Sequence, residues 1–141
     1  MAVIRRDQEL ENIIQIIDEQ KIFPTIAELL TSMSYLGFSK KKRLPLKKPS
    51  LEIKEETFVN LDLMSDVHLI ALAETKDPKI ITDNDACIKI FEEYANGGLS
   101  ILGDEITNNL KRDPSGGETF VTYISKLFAD IDKSSSEPIN L

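Results

Sequence analysis

Six basic side chains crowd one short segment, and they are the residues of this chain best suited to bind something. Within residues 39–49, SKKKRLPLKKP, they are Lys40, Lys41, Lys42, Arg43, Lys47 and Lys48. Lysine acts as a point charge toward phosphate, and a guanidinium can grip two phosphate oxygens at once. We therefore expect this basic segment, residues 40–48, to contact nucleic-acid phosphates or an acidic partner protein. The alternative is a solvated loop that binds nothing.

Metal-dependent hydrolysis is a second chemistry that the residue types allow. Asp18 with Glu52-Ile-Lys54 resembles the pattern in which carboxylates hold a divalent ion and a lysine steadies the attacking water. Such a pattern is commonplace in a chain with 29% charged residues. Asp83 and Asp85 lack the glycine and the closing glutamate of a calcium loop, and they are better explained as helix caps. We expect no metal and no cofactor.

Four other side chains carry reactive groups in contexts typical of structure. His68 lies in an apolar helical stretch with no serine or cysteine motif, so we expect a half-buried structural histidine. Cys87 would have a lowered pKa if it were exposed at the start of a helix. Because it lies between the apolar residues Ala86 and Ile88, we expect it to pack in the core instead. Glu92 and Glu93 fall on the polar side of a predicted helix, where we expect solvation or, alternatively, a basic partner.

Composition excludes several classes of protein. The 141 residues are 41% hydrophobic, and no apolar run approaches the ~18 residues of a membrane span. The N-terminus has no apolar core after its arginines, so we expect a cytoplasmic protein with no signal peptide and no membrane contact. One cysteine and one histidine exclude a disulfide framework and a zinc site built from Cys and His alone.

The charge of the chain is unevenly distributed. A net charge of −7 argues against indiscriminate binding to nucleic acid, which goes with a basic surface. Six of the 17 Lys and Arg residues nevertheless lie in the basic segment. No zinc-finger spacing, RNA-binding aromatic motif or basic recognition helix accompanies them. The sequence indicates an acidic body with one basic band.

Helical periodicity predicts a mainly α fold, a single compact helical domain of about five helices. Apolar residues recur at helical spacing in five stretches that begin near residues 7, 25, 62, 84 and 115. The stretch 44–54 leaves room for one short extended or β segment, because Leu51 and Ile53 alternate. We expect the domain to span residues 1–132 and the polar, serine-rich residues 133–141 to form a flexible C-terminal tail.

Several polar residues are suited to cap these helices. They are Asp7, Thr25 with Glu28, Asp62 or Ser65, the acids and amide of residues 82–85, and Ser115 with Glu118. The Thr25 and Ser115 pairs have the spacing of a capping box. We expect Gly37 to end the second helix in the left-handed conformation, with Phe38 packing back on Met33.

The stretch Ile88–Leu102 has the cleanest helical pattern and an unusual glycine pair. Its apolar half includes Phe91 and Tyr94, and Gly98 falls near the centre of that half. Two glycines inside a helix cost roughly 1 kcal/mol each relative to alanine. Because the apolar pattern continues in phase beyond Gly97 and Gly98, we predict one continuous central helix with Gly98 as a point of close backbone approach.

Several blocks together resemble one known family. They are Ile22-Phe23-Pro24-Thr25, Leu36-Gly37-Phe38, the basic segment with Arg43, Leu69-Ile70-Ala71-Leu72-Ala73 with Thr75-Lys76-Asp77, and Ile90-Phe91-Glu92-Glu93-Tyr94-Ala95-Asn96-Gly97-Gly98-Leu99 with Ile101-Leu102. Over about residues 20–103, the chain resembles the DNA phosphorothioation-associated protein 4 family. The most specific block is IFEEYANGGL.

The resemblance implies a place in bacterial systems that replace a DNA phosphate oxygen by sulfur and restrict unmodified DNA, and so in phage defence. It implies no catalytic residue. We therefore expect a non-enzymatic accessory protein that binds DNA or another protein of the system through the basic segment, with a homodimer left open. The alternative is an acidic helical scaffold or regulator without nucleic-acid contact, and a divalent-metal nuclease is less favoured than either.

Overall fold

Six α-helices and two short β-strands make up residues 2–135, the part of the chain that this computed structural model describes. In chain order they are β1 (Val3–Asp7), α1 (Glu11–Glu19), α2 (Ile26–Ser39), β2 (Pro49–Lys54), α3 (Glu55–Asn60), α4 (Met64–Thr75), α5 (Asn84–Asn108) and α6 (Gly117–Ser135). Short 3-10 turns precede α1 and α5. The prediction of a mainly α, single-domain fold is confirmed, and the helix beyond the expected five is the short α3.

The long helix α5 is the centre of the fold. It runs unbroken for 25 residues, so the prediction that it continues through Gly97 and Gly98 is confirmed. Phe91 is fully buried and packs edge-on against Phe58 of α3, with the ring centroids 5.6 Å apart. Tyr94 packs in the same way on Phe38 of α2 at 5.4 Å. The helices α2, α4, α1 and α6 all pack against α5, which therefore positions every other helix of the core.

The helices α2 and α5 cross with their backbones almost in contact. A Cβ atom added to Gly98 would lie 2.0 Å from the carbonyl oxygen of Met33, and one added to Gly37 would lie 2.0 Å from the carbonyl oxygen of Tyr94. Real Cβ atoms do not approach a backbone so closely. Each helix thus supplies one glycine to the crossing, where a missing side chain lets the partner backbone approach.

The expectation that Gly37 ends α2 is wrong. The helix continues to Ser39, and Gly37 lies inside it against α5. The left-handed residue is Lys41, with φ of 55°. Its N–H donates to Phe38 O at 3.1 Å, and the N–H of Lys42 donates to Gly37 O at 2.8 Å. These two hydrogen bonds are the Schellman closure, built here around a lysine, so the glycine is required by packing and not by chain reversal.

The two strands form a small antiparallel sheet at the edge of the helices. Val3 pairs with Lys54, Ile4 with Ile53, Arg6 with Ser50 and Asp7 with Pro49, with an irregularity between Ile4 and Arg6. The extended stretch expected near 44–54 is confirmed as β2. Strand β1 was not expected, because VIRRD is short and its adjacent arginines break the alternation of a strand. Ile4 is its fully buried anchor.

Two of the expected helix caps are confirmed. The side chain of Thr25 accepts a hydrogen bond from Glu28 N at 3.2 Å and opens α2. Asp83 accepts from Ala86 N at 3.1 Å and opens α5. Each side-chain oxygen satisfies one of the backbone N–H groups that a helix leaves unpaired in its first turn.

The caps expected for α1, α4 and α6 are corrected. Asp7 caps the 3-10 turn before α1 by accepting from Glu9 N at 3.0 Å. Helix α4 begins after Leu63 without a side-chain cap, although Asp62 or Ser65 was expected there. Before α6, Asp113 replaces the expected Ser115–Glu118 box. It accepts from Thr119 N at 2.7 Å, while Ser115 accepts only from Gly117 N at 3.3 Å. The buried Asp113, six residues before Thr119, therefore caps α6 in place of the expected Ser115.

The C-terminal helix α6 reaches Ser135 and so includes the first three residues of the expected tail. The rest of that predicted tail, residues 136–141, lies outside the described residues. Among the described helices, none is long and apolar enough to cross a membrane.

Candidate functional site

The basic segment leaves the end of α2, crosses α5 and leads into β2. After the left-handed Lys41 the chain is neither helix nor strand until Pro49. Like charges and two prolines oppose regular structure there. The question for function is whether this irregular stretch is held in one conformation.

Three residues of α5 hold its backbone. The N–H of Leu44 donates to the carbonyl oxygen of Glu93 at 3.0 Å. The side-chain amide of Asn96 donates to the carbonyl oxygens of Leu44 and Pro45, each at 3.3 Å. A Cβ atom added to Gly97 would lie 1.8 Å from the carbonyl oxygen of Lys42, so the segment lies directly on the bare backbone of this glycine.

At its far end the segment is held by Asp7. This carboxylate is buried and accepts from the backbone N–H groups of Lys47 at 2.9 Å and Lys48 at 3.3 Å. Burial by itself raises the pKa of Asp7, but the backbone N–H groups of Lys47, Glu9 and Lys48 outweigh it and hold the pKa below its usual value. One charged acceptor therefore joins the sheet, the turn before α1 and the basic segment.

Arg43 differs from the other basic residues because it pairs with an acid of the core. Its Nε lies 2.7 Å from Oε1 of Glu93, whose side chain is 11% exposed, whereas that of Arg43 is 36% exposed. The expectation that Glu93 is solvated is wrong. Part of the guanidinium that was expected to grip phosphate is therefore occupied by Glu93.

The five lysines of the basic segment carry its available charge. Lys40, Lys41, Lys47 and Lys48 are exposed, and Lys42 is half-buried. Within the described part of the chain, the ion pairs involve arginines, and no carboxylate comes within 4.0 Å of these lysine ammonium groups. The structure thus presents unpaired ammonium groups on a backbone that is fixed at both ends and in the middle.

Glu92 borders the same region and is also not a solvated acid. With Arg5, Lys89 and Leu46 it lines a crevice of about 490 Å³ beside the basic segment, and it accepts a hydrogen bond from the backbone N–H of Arg5. Burial raises the pKa of Glu92 to about 7, and the charge of neighbouring Glu93 acts in the same direction. A carboxyl group close to half-protonation at neutral pH therefore lies against the segment.

The residues considered for metal chemistry lie apart in structural roles. Glu52 is exposed on β2 and pairs with Arg5 at 3.6 Å, Lys54 faces Val3 across the sheet, and Asp18 lies on α1. Among residues 2–135, no three His, Cys, Asp or Glu side chains are grouped so that they could hold a metal ion.

The two other reactive side chains are also structural. Nε2 of His68 lies 3.3 Å from Oδ1 of Asn84, and His68 is half-buried as expected. The thiol of Cys87 is buried and donates to the carbonyl oxygen of Ile80. Burial and then the charge of Asp83 raise the pKa of Cys87, so the thiol stays protonated and unreactive.

These features define a small helical protein in which the central helix fixes a lysine-rich segment at the surface. The chain belongs to the family described as DNA sulphur modification system-associated protein 4, whose family model matches residues 3–137. The match confirms the resemblance seen in the sequence and extends it to both ends of the domain. Comparison with curated proteins and with solved structures gave no match.

Proposed function

We propose that this protein is a non-enzymatic accessory of a DNA sulphur modification system and that it binds DNA phosphates through the basic segment. The observation that supports this most strongly is the arrangement of Lys40, Lys41, Lys42, Lys47 and Lys48. All five lie on a backbone that α5 and Asp7 hold in place, and none is neutralised by an acid of the described residues. The family description supplies the context of DNA sulphur modification.

A fixed segment is better suited to bind phosphates than a loose one. Because its backbone is already ordered, binding loses less conformational entropy, and the lysines need to order only their side chains. Each phosphate that a lysine neutralises releases condensed counterions, which makes the affinity fall steeply with salt. The acidic remainder of the chain repels a duplex, so contact is confined to the face that carries the segment.

Fluorescence anisotropy with a labelled duplex, at low and at physiological salt, tests the proposal. One variant replaces four exposed lysines of the segment by Gln: Lys40, Lys41, Lys47 and Lys48. The matched control replaces by Gln four lysines that are exposed elsewhere on the protein: Lys54, Lys79, Lys111 and Lys126. Both variants lose the same charge. We expect the first to lose binding, with the slope of log K against log salt falling by ~0.9 per phosphate contact removed, and the control to keep its slope. Equal losses in both variants would refute a specific role for the segment.

An acidic protein of the same system is the second candidate ligand for these lysines. The net charge of −7 favours it, since a duplex is repelled by everything but the basic segment. Absence of duplex binding at low salt, together with lysine-dependent binding to a purified protein of the system, would select this ligand. In either case we propose a cytoplasmic protein that acts in modification or restriction of DNA, and thereby in phage defence.

A further inference from the structure

Among the described residues, an apolar groove lies open between α2 and α6, away from the contacts that fasten the basic segment to α5. Its volume is about 520 Å³. Apolar side chains form its floor and walls, among them Phe23, Met33, Leu36, Phe38, Phe120 and Ile124. A recess of this volume, lined mostly by apolar side chains, has the size and character of a binding site.

The rim of the groove carries apolar side chains that project into solvent. Ile22 is 48% exposed and Tyr35 is 36% exposed, and both line the groove whose floor includes the buried Met33 and Phe120. One face therefore holds a recess together with the projecting side chains that could fill such a recess. A two-fold symmetric interface requires this combination, because the same patch must fit itself. We propose that this face binds a second copy of the chain.

Charged residues of both signs lie near the groove. Lys40 and Lys41 follow Ser39, the residue that lines the end of the groove. Asp66 lies at its side, where it accepts a hydrogen bond from the hydroxyl of Tyr35. A second copy offers both a carboxylate to the lysines and an ammonium group to the carboxylate, which orients the two apolar faces.

The size of the face indicates a small dimer interface. At ~1.5 Å per residue, the 14 residues of α2 span about 21 Å, and two helices each ~10 Å wide give a footprint of roughly 400 Å². This is about half of the ~800 Å² that each partner buries in a standard stable interface. The dimer is accordingly weak and forms as the protein concentration rises.

Sedimentation velocity of the pure protein over a range of concentrations tests the dimer without any nucleic acid. The wild-type mass should rise from 15.9 kDa toward twice that value. Ile22→Glu places a charge on the rim and should weaken dimerisation by about tenfold or more, which corresponds to ~1.4 kcal/mol. Ile81→Glu is the matched control, because Ile81 is 45% exposed on the turn before α5, outside the groove.

Circular dichroism melts of both variants establish that each remains folded. The inference is overturned if the wild type stays monomeric at every concentration. It is equally overturned if the wild type dimerises and the two variants behave alike, because the interface then lies on another face. The sedimentation assay contains no nucleic acid, so its outcome is separate from the anisotropy test of the proposed function, although Lys40 and Lys41 are assigned to both surfaces.

Discussion

Replacing Gly98 by Ala tests the close crossing of α2 and α5. In an ordinary helix interior this change stabilises a protein by roughly 1 kcal/mol, because alanine has the higher helix propensity. Here the added Cβ would lie 2.0 Å from the carbonyl oxygen of Met33. That is about 1.5 Å closer than an optimal contact of ~3.5 Å. Since the obstacle is the backbone of a helix, no rotamer change relieves it and α2 has to move.

The expected size of the effect follows from these opposing contributions. Overpacking of a core typically costs ~1–3 kcal/mol. The clash at Gly98 should reach or exceed the upper end, because displacing α2 also loosens the matching contact of Gly37 with the carbonyl oxygen of Tyr94. After subtraction of the propensity gain, we expect the free energy of unfolding to fall by about 2 kcal/mol.

Urea denaturation followed by circular dichroism measures this change. The control is Gly103→Ala in the same helix, where the added Cβ would meet Cγ1 of Ile13 at 3.1 Å, the atom of a side chain that can adjust. We expect Gly103→Ala to leave the stability unchanged or raise it slightly, with an unchanged m value for both variants. If Gly98→Ala were as stable as the wild type, the close crossing described above would be refuted.

Three further predictions concern the basic segment and its surroundings. Gly97→Ala should displace the backbone of Lys42 and speed hydrogen exchange of the Leu44 amide, because the added Cβ would lie 1.8 Å from the carbonyl oxygen of Lys42. The free energy of unfolding should fall less than in Gly98→Ala, because the obstacle lies in an irregular segment and not in a packed helix. Unchanged exchange would count against the contact. Glu93→Gln removes the carboxylate that pairs with Arg43, and thermal melts should show a destabilisation of about 1–2 kcal/mol. The effect is smaller than for a fully buried ion pair, because the side chain of Arg43 is partly exposed. Burial raises the pKa of Glu92 from 4.5 to about 7, so the folded state binds this proton more tightly than the unfolded state. The protonated carboxyl group therefore contributes its full stability below pH ~4.5, and this contribution is lost as the pH rises toward ~7. Glu92→Gln should remove that loss, which is well below the ~3 kcal/mol of the full shift because Glu92 is partly exposed to solvent. A difference between wild type and variant that does not depend on pH would contradict the assignment.

Local sequence signals predicted the elements whose interactions are local. The helical period of residues 88–102 was sufficient to predict an unbroken α5, and the spacing of Thr25 and Glu28 was sufficient to place the start of α2. Gly98 was also foreseen as a contact point, because it lies in the middle of the apolar half of the helix. Each of these inferences depends on residues within about fifteen positions of one another, where backbone periodicity fixes the relative directions of side chains.

The features that were missed depend on contacts between distant parts of the chain. Arg43 and Glu93 are separated by 50 residues, and Asn96 and Leu44 by 52, so nothing local indicates that they meet. Glu93 and Asn96 lie on the polar half of α5, where the pattern is that of a solvated face. Asp7 was taken for a helix cap because its second partner, the backbone of the basic segment, is 40 residues away. The polar half of α5 is buried by the basic segment, and the sequence of α5 alone gives no sign of this contact.

The hold of α5 on the basic segment has a consequence for protein engineering. Glu93, Asn96 and Gly97 face the segment, while Tyr94 and Gly98 face α2, all within two turns of one helix. Inserting one residue ahead of Glu93 would rotate these groups by about 100° and release both partners together. The segment is therefore a poor candidate for transplantation as a loop alone. A chimera that exchanges it between related proteins should carry residues 93–98 with it, whereas its lysines can be altered one at a time.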